Sequence, residues 1–169
     1  MGIIRVMSDF VVSLLIGSLM VVTTTMLFYE ILGFTWALLP KLVIPLRQRI
    51  LVVILAIFGG HTLAVWIYAG AYWWIATASD FGALQGRIDP GFHDYLYFSA
   101  ATYSSLGIGD IVPTDGFRLV ASIEVLNGLV LIGWSASFAY LVMQKFWEVH
   151  RPASENGENQ PSETEVRDA

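Results

Sequence analysis

The chain has 169 residues, 56% hydrophobic and only 14% charged, with nine basic and fourteen acidic side chains; a soluble domain carries about a quarter charged residues. Residues 10–29, 50–79 and 125–144 hold no Asp, Glu, Lys or Arg, and an uncharged apolar run of about 18 residues or more reads as a membrane span. A soluble single-core protein is excluded, the short alternating strands of a membrane barrel do not fit, and the absence of cysteine excludes disulfide scaffolds, cysteine zinc sites and thiol catalysis.

The N-terminus, MGIIRVMSDF, has one Arg and then Asp9 ahead of the first apolar run. No small-residue cleavage pattern follows, so the first span is expected to be retained. Position 6 is Val, which breaks a myristoylation signal. The first span is expected over residues 10–39. Pro40 and Pro45 then bracket a basic turn, and a second span covers 50–79. Residues 80–94, with Gly82, Gly86, Pro90 and Gly91, read as a polar loop. The apolar piece 95–109 is too short for a straight span and reads as re-entrant or buried. After a polar stretch with Pro113, a third span covers 117–147. Residues 148–169 hold six acids and two Arg, and such a segment buries too little apolar surface to fold. The expected organisation is an extra N-terminal helix and basic turn (1–49), a central module (50–147) and a disordered acidic tail (148–169).

Lys41, Arg47, Arg49, Lys145 and Arg151 fall on one side of this topology, and Arg5, Arg87 and Arg118 on the other. The positive-inside rule puts the first group in the cytoplasm. The N-terminus, the 80–94 loop and the short piece are then outside, in a multi-pass protein of the cell's inner membrane.

The short piece carries the chemistry. Residues 97–113 read YFSAATYSSLGIGDIVP. Non-helical backbone at membrane depth needs a reason, because an unsatisfied peptide group costs several kcal/mol in hydrocarbon. One reason is a row of carbonyls facing a water-filled pathway and binding cations. Gly107 and Gly109 permit left-handed dihedrals at alternate positions, which turns successive carbonyls to one side. Four such strands around an axis stack rings of oxygens that replace an ion's hydration shell. The preceding helix points its partly negative end toward the same place.

At these residues the sequence resembles the tetrameric potassium channel superfamily, whose usual filter reads T-V-G-Y-G-D or T-V-G-F-G-D. Here it reads Ser105-Leu106-Gly107-Ile108-Gly109-Asp110, with Thr102 upstream and Pro113 downstream. The resemblance covers about 50–147. More narrowly, the chain looks like bacterial proteins labelled two-pore-domain or "ion channel", which share the Tyr29-Glu30, His61, filter and 133–138 elements, although this chain has one pore loop. The resemblance implies an all-α integral membrane fold. It has three transmembrane helices, a re-entrant pore helix and a filter loop, assembled as a homotetramer. Potassium binds the backbone carbonyls of Ser105, Leu106, Gly107 and Ile108 as permeant ion. The partners are that ion and the lipid bilayer; no cofactor, catalytic residue or nucleic acid is implied.

Two departures bear on selectivity. Ile108 stands where the family has Tyr or Phe, which removes or reduces an aromatic collar behind the filter. Ser105 keeps a hydroxyl but loses a methyl. Many potassium channels have a Trp thirteen residues before the filter Asp that hydrogen-bonds to it. Here that position is Tyr97, whose hydroxyl suits the same role toward Asp110.

Ionisable groups inside spans are functional candidates. Glu30 and His61 lie ten and twelve residues from the basic turn, roughly 15 and 18 Å at the helical rise. They either pair or are satisfied separately. Glu124, near filter depth, either braces the filter from behind or faces a neighbouring subunit. By family position Asn127 lines the central cavity, and Gly128 sits about where the inner-helix hinge glycine does, with close helix packing as the other reading. No span carries Arg or Lys at every third residue, so a voltage sensor is absent. The sequence thus points to a potassium-selective channel, with a weakly selective monovalent cation channel as the alternative. A proton-coupled carrier or membrane sensor using Glu30 and His61 is a further alternative, but no paired broken spans support a carrier.

Overall fold

A computed structural model describes residues 2–79, 81–86 and 91–148. The expected acidic tail lies, beyond Glu148, outside the described residues, as do Asp80 and Arg87. In chain order the elements are α1 (Gly2–Leu38), a 3-10 turn (Leu39–Lys41), α2 (Leu46–Ala78), β1 (Leu84–Gly86), α3 (Phe92–Tyr103), β2 (Ile111–Pro113) and α4 (Gly116–Glu148). Segments Met7–Lys41, Gln48–Ala78 and Gly116–Lys145 are long and apolar enough to cross a membrane. At 33 residues, α2 and α4 are each about 50 Å long, well beyond the roughly 30 Å of bilayer hydrocarbon.

These helices form because their backbone is satisfied within the helix, the condition for apolar surroundings. Side-chain hydroxyls in α1 are absorbed the same way. Ser13, Thr23, Thr24 and Thr35 donate to the carbonyls of Asp9, Leu19, Met20 and Ile31, one turn back. Pro40 and Pro45 separate α1 from α2, each removing an N–H donor.

Three polar contacts fix the register of α2 against α4. Tyr72 meets Glu124, Tyr68 meets Asn127, and His61 meets Ser135, so the two helices run antiparallel. Helix α1 runs parallel to α4. Ser13 Oγ lies 3.2 Å from the Gly116 carbonyl and Asn127 Nδ2 donates to Thr24 Oγ1 at 2.7 Å, each joining residues 103 apart. Lower down, Trp36 packs edge-on to Phe138, and the Lys145 ammonium sits 4.3 Å from the Trp36 ring centre.

Helix α3 runs antiparallel to α2. Its first residue, Phe92, packs tilted against the Trp66 ring and edge-on to Trp73; Ser99 reaches the Val65 carbonyl; its last residue, Tyr103, meets His61. It therefore descends from near the end of α2 to its middle. The chain then climbs back over residues 104–110 to β2, which pairs antiparallel with β1 (Leu84↔Pro113, Gly86↔Ile111).

That strand pair corrects the reading of 80–94 as loop alone. Three-residue strands leave no readable alternation, but Gly86 is a clue. Its φ is +130°, and a Cβ there would collide with the Asp110 carbonyl. The pair anchors the rising segment to the end of α2. Beside it lies the main apolar cluster, with Tyr68, Tyr72, Leu84, Phe98, Ile111 and Phe117 at its centre. A second cluster, Phe28, Leu32, Ala64, Tyr103 and Leu131, packs beneath α3, and a third joins Leu39, Val53 and Val142 near the basic turn.

Candidate ion-conduction site

Helix α3 stops at Tyr103 because the chain turns its next N–H groups back onto the helix. Ser104 N bonds to Ala100 O at 3.2 Å and Ser105 N to Thr102 O at 2.9 Å. Leu106 N and Gly107 N share Ala101 O, at 2.8 and 3.3 Å. The carbonyls of Ala100, Ala101 and Thr102 in the last turn are thereby capped. Past this cap the backbone alternates in hand. Ser105 (φ +59°), Gly107 (+54°) and Gly109 (+84°) are left-handed, while Leu106 and Ile108 between them are not. A left-handed conformation costs a non-glycine residue roughly 1–2 kcal/mol, and Ser105 adopts it. Residues 104–110 are all exposed on the protomer, including the apolar side chains of Leu106 and Ile108.

Asp110 closes the loop. Its carboxylate accepts from the Tyr97 hydroxyl at 3.2 and 3.1 Å and from the Ile111 N–H at 3.0 Å. Between this loop and α4 lies an open cavity of about 770 Å³, bordered by Tyr97, Thr102, Ile108, Asp110, Arg118 and Ser122.

Behind α3 sits Glu124, fully buried. Ser99 Oγ lies 2.6 Å from its Oε1, and the Tyr72 hydroxyl donates to Oε2 at 2.8 Å. Its carboxyl group therefore points into its own protomer, toward α2 and α3. One turn on, Asn127 donates to Thr24 and to the Tyr68 hydroxyl, at 2.7 and 3.2 Å. This corrects the placement of Asn127 on a central cavity, because the side chain points into the α1–α2–α4 contact. Exposed positions on α4 around and below it include Leu126, Leu129, Val130, Ile132, Gly133, Ser137, Tyr140 and Leu141. Of the two readings for Gly128, the structure shows the packing contact. Helix α4 runs unbroken through it, and a Cβ at Gly128 would strike the Tyr103 carbonyl. It is the packing glycine that lets α4 touch the end of α3.

The Glu30–His61 pair does not form. His61 Nδ1 is 2.9 Å from the Tyr103 hydroxyl and Nε2 is 3.1 Å from Ser135 Oγ, while Glu30 is exposed. The two residues agree in height, but Phe28, Leu32 and Thr35 occupy the inward face of α1 and Glu30 points elsewhere. A carrier built on that pair loses its proton couple. Sequence reasoning also missed Tyr72, Ser99, Tyr103 and Ser135. Tyr68 and Tyr72 lie four residues apart on α2 and Glu124 and Asn127 three apart on α4, each about one helical turn, and that was the available signal.

A family model described as "Ion channel" matches residues 50–145, more than half of the chain and the stretch from α2 through α4. Comparison with curated proteins and with solved structures returned no match. The loop, its helix and the helices around it therefore sit in an ion channel domain, and the chain belongs to that ion channel family, as a multi-pass membrane protein that passes ions rather than an enzyme.

Proposed function

We propose that the protein is a potassium-selective channel in which four copies surround one axis. Residues 105–109 of each supply the filter, and α3 is the re-entrant pore helix. The observation that carries this is the alternation of backbone hand at Ser105, Gly107 and Gly109. Alternation of this kind is what stacked oxygen rings from Ser105, Leu106, Gly107 and Ile108 require of the backbone. One loop per chain supplies one strand, so rings need four chains. The C-terminal end of α3 adds negative potential at the base of the filter. Asp110, tied to Tyr97, braces the outer end of the loop and adds negative charge at the mouth. Helices α2 to α4 form the pore module, and α1 is an additional helix laid along α4. In this reading the basic turn and the tail face the cytoplasm, in the inner membrane.

A weakly selective monovalent cation channel is the second reading, and Ile108 favours it. This side chain has no hydroxyl to anchor and is 54% exposed on the protomer, so the filter lacks a polar brace at that level. Purified protein in liposomes, assayed for rubidium, sodium and proton flux, tests both. Rubidium flux far above sodium flux is the expected result. Equal fluxes establish the second reading, and no flux with either ion overturns both. Native mass spectrometry is expected to give a tetramer; a monomer or closed dimer, under conditions that keep other membrane tetramers intact, removes the ring.

A further inference from the structure

We infer that Glu124 is a positioning residue for the filter, acting through Ser99 by the shape of its hydrogen bonding and not by its charge. The inference rests on the filter assignment above. Ser99 Oγ sits between two acceptors on different helices, Glu124 Oε1 of α4 at 2.6 Å and the Val65 carbonyl of α2 at 3.0 Å. Glu124 is in turn held to α2 by Tyr72 at 2.8 Å. Ser99 Oγ thus lies within hydrogen-bond distance of a group on each of the two neighbouring helices. The next two residues, Ala100 and Ala101, supply the carbonyls that receive the N–H groups of Ser104, Leu106 and Gly107. Any shift of Ser99 along or around α3 passes through those bonds into the start of the filter loop.

Apolar contacts around α3, such as Phe98 against Tyr72, favour burial without fixing direction. Hydrogen bonds fix direction and distance. An ionisable group fully buried inside a span is expensive, which argues that its geometry is used. A carboxamide reproduces that geometry. The carbonyl of a glutamine accepts from Tyr72, its NH₂ donates to Ser99 Oγ, and the Ser99 hydrogen goes to Val65 O, already within reach. Neither alanine at 124 nor alanine at 99 can do this.

The test measures rubidium and sodium flux in liposomes for the parent, Glu124→Ala, Glu124→Gln and Ser99→Ala, each checked for assembly by native mass spectrometry. Ser99→Ala and Glu124→Ala are expected to lower the rubidium-to-sodium ratio roughly tenfold, the factor that about 1.4 kcal/mol of discrimination carries. Glu124→Gln is expected to restore most of it. Ser99→Ala removes only a hydroxyl and decides the matter if Glu124→Ala fails to assemble. A parent with no selectivity means the potassium-selective reading on which this inference rests has failed. A selective parent whose assembled Ser99→Ala variant keeps the parental ratio overturns the positioning role. Loss in Glu124→Gln as deep as in Glu124→Ala overturns the claim that shape suffices.

Discussion

Tyr103, the last residue of α3, is joined to His61, at the middle of α2, by a 2.9 Å hydrogen bond between the phenol oxygen and Nδ1. The direction of that bond follows from Ser135. Its hydroxyl hydrogen is given to the Ile132 carbonyl at 2.8 Å, so Ser135 Oγ accepts from His61 Nε2–H at 3.1 Å. Nδ1 is then the acceptor and takes the Tyr103 hydrogen. Tyr103→Phe leaves Nδ1 without a donor, and His61→Ala leaves the phenol without an acceptor. Each is expected to destabilise the protein by about 1–3 kcal/mol. The double variant is expected to lose less than the sum, because both changes break one bond. Thermal unfolding in detergent measures this; additive losses would mean the bond contributes nothing. Glu30→Gln combined with His61→Ala, in contrast, is expected to be additive.

A second prediction concerns the glycines of the filter loop. No atom outside the immediate chain neighbours lies within 4 Å of a Cβ built on Gly107, and only the Gly107 carbonyl, at 4.0 Å, approaches one on Gly109. The space is open, so the penalty for alanine is in the backbone. The left-handed region costs alanine roughly 1–2 kcal/mol, and relaxing out of it turns a carbonyl away. Gly107→Ala and Gly109→Ala are expected to insert and assemble but lose rubidium preference. Preference retained in both would detach the loop from selectivity.

The parts of this site that were legible in the sequence are those set by local geometry. Gly107 and Gly109 announce a backbone that alanine cannot follow, and thirteen residues separate Tyr97 from the Asp110 it bonds. The three spans were legible because the uncharged runs 10–29, 50–79 and 125–144 are apolar past the roughly 18 residues at which a membrane span is read. What was not legible is which way each span faces. Each residue turns a helix by about 100°, so equal depth leaves direction open, and a span apolar on every side gives no stripe to read. That is why Glu30 looked like the partner of His61, and why Asn127 looked like a cavity residue when the adjacent Leu126 holds the open face. The β1–β2 pair was hidden for a different reason, since its register depends on contacts far apart in the chain.

Gly128 and Gly133 separate packing from hinging. A Cβ on Gly128 meets the Tyr103 carbonyl, and one on Gly133 meets nothing within 4 Å. Overpacking a filled contact costs typically about 1–3 kcal/mol. Gly128→Ala is therefore expected to lower thermal stability and to disturb the end of α3, whereas Gly133→Ala leaves stability close to the parent. If Gly128 served as a hinge instead, its alanine variant would change open probability in single-channel recordings while stability stayed the same.

Asn127 and Leu126 decide which face of α4 meets the pathway. Asn127 Nδ2 donates to Thr24 Oγ1, whose own hydrogen is given to the Met20 carbonyl, and also to the Tyr68 hydroxyl. Asn127→Ala therefore strands buried acceptors in the contact of α1, α2 and α4. It is expected to cost about 1–3 kcal/mol of stability and to leave ion preference as in the parent. Leu126 and Val130 are 65% and 67% exposed on the protomer and lie four residues apart on one helix face. The chain has no cysteine, so single cysteines report their own surroundings. Leu126→Cys and Val130→Cys are expected to react with a water-soluble thiol reagent and to lose flux when they do, with Asn127→Cys protected. Reaction and block at Asn127→Cys, with the other two inert, would turn α4 by about one residue's rotation and return the cavity to the face that the structure packs against α1 and α2.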